Sequence, residues 1–139
     1  MALYSKRKLS MKITELMIGD YIKYQEHIYI IEEISAQGWI HLIYPETKTR
    51  LNLTSDYIID LLEPVLLTSE TLEKNGFYYD KNRRAYLMGV ILQIKPDKNG
   101  LFYYEICKCI HSLNTVHQLQ HLLKLRGLND LANNLKLEE

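Results

Sequence analysis

Asp20–Ile34 reads DYIKYQEHIYIIEEI. Two runs, DYIKY (20–24) and HIYIIEEI (27–34), are rich in isoleucine and tyrosine, side chains that suit a pleated, half-buried surface. Gln25-Glu26 sits between them where a tight turn is needed. The pattern then repeats in WIHLIY (39–44), TRLNL (49–53) and YIIDLL (57–62), with turn signals at Gln37-Gly38 and Pro45-Glu46. Five short strands with tight connections predict a small, strongly bent barrel of the SH3-like kind over residues 11–66. The lead-in TELMIGDY (14–21) fits it, because Gly19 permits the unusual backbone of a corner. Pro64 closes this segment.

Residues 67–139 change character. LTSETLEKNGF (67–77) predicts a short helix. Thr68 is its N-cap, Glu70 favours its first turn, and Gly76 is its left-handed C-terminal cap with Phe77 as apolar follower. RAYLMGVILQIK (84–95) and LFYYEICKCI (101–110) predict two long strands, joined by a hairpin at Pro96-Asp97-Lys98-Asn99-Gly100. TVHQLQHLLKLR (115–126) predicts a helix that stops at Gly127. Leu128, Leu131 and Leu135 mark a second short one. The expected fold is therefore α+β: a small N-terminal SH3-like β-barrel followed by a helix, a β-hairpin and C-terminal helices. Residues 1–10, with Lys6, Arg7 and Lys8, form a basic tail ahead of it.

Charge separates these pieces. The whole chain balances 17 basic against 17 acidic side chains. Residues 1–10 carry three basic side chains, a net +3. Residues 11–66 hold four basic and nine acidic, a net −5, and residues 67–139 hold ten and eight, a net +2. Phosphate contacts dominate the affinity of non-specific nucleic-acid binders, and an acidic barrel repels phosphate. Hydrophobic residues make up 47% of the chain, enough for a real core. No apolar run approaches the roughly 20 residues of a membrane span, and MALYSKRKLS lacks the apolar stretch of a signal peptide. Two cysteines one residue apart make no disulfide framework. A cytoplasmic, reducing setting is the expectation.

One stretch gathers soft ligands: CKCIHSLNTVHQLQH (107–121). On a strand Cys107, Cys109 and His111 would share a face. On the following helix His117 and His121 stand at i, i+4. A metal site can be drawn from them, but C-x-C on a strand splays the sulfurs, and H-x-x-x-H here encloses no glutamate. The bland reading, cysteines and histidines as filler and fasteners, is preferred, with no metal and no cofactor. No Gly-rich phosphate loop and no G-x-S-x-G occurs. Glu32 and Glu33, as strand neighbours, face opposite ways. The chain reads as a non-enzyme. Eleven tyrosines are more telling. FYYD (77–80) and LFYYE (101–105) put adjacent tyrosines on both strand faces, which suits interface contacts.

Three stretches together, MKITELMIGDYI (11–22), PVLLTSETLEKNGF (64–77) and VHQLQHL (116–122), resemble a family of small uncharacterised proteins of gut Bacteroidetes, their phages and mobile elements. That family's pattern runs M-K-x-x-E-L-x-I-G-N/D-Y, then L-T-E-E-x-L-x-x-x-G-F, then V-H-Q-L-Q-N-L. His117 matches its histidine, whereas His121 stands where the pattern has asparagine, and the C-x-C pair is no part of it. The resemblance implies structural roles for His117 and Gln118, fastening a helix start to neighbouring backbone. It also implies a type of job, because small phage proteins without catalytic motifs often act by binding.

Three functions compete. The first is a non-catalytic binding protein, expected to be oligomeric, that engages a host or phage protein. The second is a sponge that sequesters a nucleotide second messenger of host anti-phage defence, such as a cyclic nucleotide. Its candidate site is KNRRAY (81–86), where Arg83 and Arg84 would meet phosphate and Tyr86 would stack. The third is a nucleic-acid adaptor using the basic tail, which the acidic barrel disfavours.

Overall fold

The computed structural model describes residues 15–37, 39–53, 58–90 and 92–137. The basic tail read over residues 1–10 lies outside them. The chain divides into two compact units at Val65/Leu66. Among the described residues it is mostly β, with two antiparallel five-stranded sheets and few helices.

The first sheet contains β1 (Tyr21–Tyr24), β2 (His27–Ile34), β3 (Ile40–Ile43), β4 (Arg50–Leu53) and β5 (Glu63–Pro64), in the order β4-β3-β2-β1-β5. The hairpin read from Asp20–Ile34 pairs Tyr24 with His27 and Ile22 with Tyr29. Gln25 and Glu26 take positive φ values, 48° and 70°, as a two-residue hairpin turn requires. Period-two alternation sends Ile22, Ile31, Ile40, Leu42 and Leu53 to one face, where they form a core with Leu16 and Leu62. Below β1, the fully buried Asp20 accepts a hydrogen bond from the Met17 N–H at 2.8 Å, while Gly19, at φ 95°, donates its N–H to Ile31 C=O.

This sheet corrects the expected SH3-like barrel, and with it the α+β class. Neither sheet closes on itself: β4 and β5 are the two ends of the first. The segment meant to close it, YIIDLL, contains a single helical turn, α1 (Ile58–Leu61), instead of a strand. Only Glu63 and Pro64 remain to pair with β1. Proline lacks the N–H that a further ladder would need.

The second sheet is a meander, β10-β9-β8-β7-β6. It comprises β6 (Tyr78–Asp80), β7 (Ala85–Met88), β8 (Leu92–Pro96), β9 (Phe102–Ile106) and β10 (Cys109–Ser112). The two long strands expected here are each broken. Gly89, at φ 56°, ends β7, and Val90 beside it is fully exposed. Cys107 and Lys108, at φ 51° and 69°, form the two-residue turn from β9 to β10. Between β8 and β9, Asp97 Oδ1 accepts from the N–H of Asn99 at 2.8 Å and of Leu101 at 3.0 Å, shaping the turn.

Among the described residues, three helices accompany this sheet: α2 (Ser69–Lys74), α3 (Val116–Leu125) and α4 (Asn129–Asn133). Thr68 caps α2 through its hydroxyl, and Gly76 at φ 95° follows the last turn. Asn75 joins the end of α2 to the C-terminal segment: Nδ2 donates to Lys136 C=O at 2.8 Å, and Oδ1 accepts from Lys136 N–H at 2.7 Å. α3 opens on a reciprocal capping box, with Thr115 accepting from Gln118 N–H and Gln118 Oε1 accepting from Thr115 N–H at 3.2 Å. Gln118 Oε1 also accepts from Asn114 N–H at 2.7 Å. Leu119, Leu122 and Leu123 form the buried apolar stripe of α3, and Ile94, Phe102 and Leu113 are buried in the same unit. No helix among the described residues is long and apolar enough to cross a membrane.

Candidate functional site: an aromatic groove on the first unit

The core face of the first sheet does not end where burial ends. On β2, His27 and Tyr29 lie on the same side as Ile31 by alternation, and Tyr24 lies opposite His27. Tyr44, two residues past Leu42, continues that side beyond β3. With the sheet open, these rings finish the core at its outer end and remain half-buried or exposed. They pack edge to face: Tyr24 on Tyr29 at 6.3 Å, Tyr29 on Tyr44 at 5.6 Å, and His27 on Tyr44 at 6.1 Å between centroids.

His27, Tyr29 and Tyr44 line a groove of about 390 Å³ with Leu51, Thr47, Thr49 and Arg50, and Tyr24 packs against Tyr29 beside it. The turn from β3 to β4 forms one wall. Tyr44 N–H donates to Thr49 C=O at 2.8 Å, and the Thr47 and Thr49 hydroxyls meet at 2.7 Å. Arg50 stands at the rim, its Nε 3.2 Å from Glu32 Oε1. Its side chain is 70% exposed, so that pair leaves most of the guanidinium available to a partner. Tyrosine and arginine are the side chains that interfaces enrich, because a ring or planar fork brings large contact area with a polar tip. On the opposite face of β1, burial pushes the Tyr21 hydroxyl above its usual pKa of 10.0. The tyrosine richness was visible in the sequence, but this groove was not. Its residues come from β2, β4 and a turn, and only the strand register brings them together.

The site residues read from the sequence fall elsewhere. Arg83 and Arg84 are exposed in the turn after β6, and Arg84 has φ 52°. Strand alternation therefore does not extend from Tyr86 back to Arg84. Tyr86 is only 9% exposed, with Tyr79 at 5.1 Å and Phe102 at 6.0 Å from its ring centroid. A ring so enclosed offers no free face for a base, so the three residues do not converge. Arg83 instead lines a hollow of about 150 Å³ with Arg126, Leu87, Gln93, Tyr104 and Glu105.

The soft-ligand stretch is likewise dispersed. Cys107 is a turn residue, which removes it from the strand face it was expected to share with Cys109 and His111. Both cysteines are free and exposed. His111 stacks on Tyr104 at 5.1 Å with the ring planes 19° apart. His117 is 1% exposed, with Nε2 3.5 Å from the Thr115 hydroxyl and its ring 5.9 Å from that of His121. Among the described residues, no group of three or more His, Cys, Asp or Glu side chains is placed to hold a metal ion. No protein-family model, curated protein or solved structure matches the chain.

Proposed function

We propose that this chain is a non-catalytic binding protein whose first unit engages another protein through the aromatic groove. The supporting observation is the groove's composition and position: interlocked Tyr29, Tyr44 and His27 with Arg50, where the core face meets solvent. Such a surface buries apolar area without unfolding anything, and its tyrosines lose little conformational freedom on contact. The net −5 of residues 11–66 favours a partner with a basic rim. The sequence resemblance makes a host or phage protein the natural candidate.

The test is affinity capture from the producing cell, comparing the wild type with Arg50→Glu and Tyr29→Ala. Both variants should lose the same captured protein while keeping their thermal midpoint within a few degrees. Tyr29→Ala should cost about 2 kcal/mol of binding, roughly thirtyfold. Capture unchanged in both variants would place binding elsewhere.

A second reading, the nucleotide sponge, has one observation in its favour: Arg83 and Arg126 line the same hollow. Its volume of about 150 Å³ accepts a phosphate group but lies below the roughly 300 Å³ at which small-molecule pockets begin. Calorimetry with cyclic dinucleotides, on the wild type and on Arg83→Ala with Arg126→Ala, tests it. Absence of heat in the wild type ends this reading.

A further inference from the structure

We propose that β10 is a self-association edge, to which a second copy of this chain adds its own β10 antiparallel. The five-stranded sheet of the second unit would then continue across a two-fold axis. This goes beyond the partner-binding reading, since it uses the other unit and does not require the aromatic groove.

Four strands end the two sheets: β4, β5, β6 and β10. An open edge presents unpaired N–H and C=O groups to any other strand, and proteins guard such edges with charge, proline or cover. β4 carries Arg50, β5 carries Glu63 and Pro64, and β6 carries Asp80 with α2 beside it. β10 is Cys109-Ile110-His111-Ser112, without Lys, Arg, Asp, Glu or Pro, and all four residues are exposed. It is the one unguarded edge among the described strands.

The hydrogen-bond phase of β10 is fixed. Leu113 N–H donates to Phe102 C=O at 2.9 Å, and the register pairs His111 with Tyr104 and Cys109 with Ile106. Antiparallel ladders alternate, so the backbone groups of Cys109 and His111 turn toward β9 while those of Ile110 and Ser112 turn outward. Past Ser112 the edge is covered: Leu67 N–H donates to Asn114 C=O at 2.9 Å, and Leu66 bridges Thr115. The open edge is therefore the N–H and C=O of two residues, Ile110 and Ser112.

Those groups are complementary to themselves. A two-fold axis perpendicular to the sheet, passing between the two copies of His111, sets Ile110 opposite Ser112 of the second copy, and the reverse. Each such pair exchanges both hydrogen bonds, and every open group on both edges is satisfied. Centring the axis on Ile110 instead would set Ser112 against Lys108, a turn residue at φ 69°, and lose the flanking bonds.

The side chains argue for a second copy over a foreign strand. Between β10 and α3 runs a groove of about 440 Å³, lined by Tyr104, Ile110, His111, Leu122 and Leu125 among others. Ile110 is 69% exposed and Leu125 75%. The perpendicular axis keeps both copies of α3 on one side of the extended sheet. A second copy then brings a helix to the groove as well as a strand to the edge. The ladder is short and its area modest for a dimer, so association should depend on concentration.

Light scattering on the full chain across the micromolar range should show mass rising from one chain toward two. Ser112→Pro removes an outward N–H that the β9 ladder does not use, at an edge where proline is tolerated. It should weaken the dimer by roughly tenfold or more. Ile110→Lys should do likewise, and Val90→Lys, at an exposed turn, should change nothing. Amide hydrogen exchange on the wild type decides the matter even if a variant fails to fold. Ile110 and Ser112 should exchange more slowly as concentration rises, while Cys109 and His111, bonded to β9, stay constant. A single-chain mass at every concentration overturns the proposal. So does exchange at Ile110 and Ser112 that ignores concentration, or a dimer that persists in folded Ser112→Pro and Ile110→Lys.

Discussion

The two sheets have the same strand count and the same antiparallel pairing, yet they end differently. The first finishes its edges with Arg50 on one side and Glu63-Pro64 on the other, and leaves its aromatic core end open in a groove. The second encloses its aromatic Tyr86 between Tyr79 and Phe102, and leaves a neutral edge strand open. Open side-chain surface and open backbone are different kinds of recognition. The former selects partners by shape and polarity, whereas the latter accepts any strand with matching hydrogen-bond phase. On the two proposals, the groove would hold a foreign protein and the edge a copy of the chain, through separate surfaces.

Substitutions can break or sharpen this contrast, beginning with the largest effect. Leu119→Ala empties a fully buried position on α3 and should cost about 3 kcal/mol by chemical denaturation. A cost below about 1 kcal/mol would mean that α3 is not anchored in the second unit's core through this residue. Asp20→Ala probes the first unit, where it strands the Met17 N–H beneath β1. We expect a loss of about 2 kcal/mol, with the second unit's edge unaffected. His117→Ala and Gln118→Ala should each cost about 1 kcal/mol, the first through buried packing and the second through the capping box. Gly76→Ala should cost a similar amount, about 1 kcal/mol. A Cβ there would meet only Met88 Cε at 3.5 Å, so the cost lies in the left-handed backbone.

A pH series adds a smaller effect confined to the first unit. Burial raises the Tyr21 pKa, so its neutral form is favoured in the fold. That contribution is complete below about pH 10 and is lost as pH rises through the folded pKa. Tyr21→Phe should flatten this alkaline decline, and an unchanged slope would assign it to other groups.

Local signals in the sequence led to much of this architecture and missed the rest for identifiable reasons. The runs 20–24, 27–34, 39–44 and 49–53 contain β1 to β4, because alternation and turn residues act within a few positions. Thr68, Gly76 and Gly127 mark helix ends by the same local logic. YIIDLL reads as a strand and folds as a helical turn because a short apolar run looks alike as either, and only pairing partners decide. The β9–β10 turn was missed because Cys107-Lys108 is not a usual turn pair. A left-handed conformation at two non-glycine residues is imposed by the flanking ladder. Arg83, Arg84 and Tyr86 were grouped by sequence distance, and the turn conformation at Arg84 separates them. The aromatic groove joins residues as far apart as His27 and Leu51, beyond the reach of any local pattern.

If the open groove and the open edge divide the labour as proposed, site-specific photo-crosslinking separates the two surfaces. A photoreactive phenylalanine analogue would be placed at Tyr44 in one sample and at Ile110 in another, within the cells that make the protein. Position 44 should give an adduct with a different protein, and position 110 an adduct of twice the chain mass. A doubled chain at position 44, or the same foreign protein at both positions, would contradict that division.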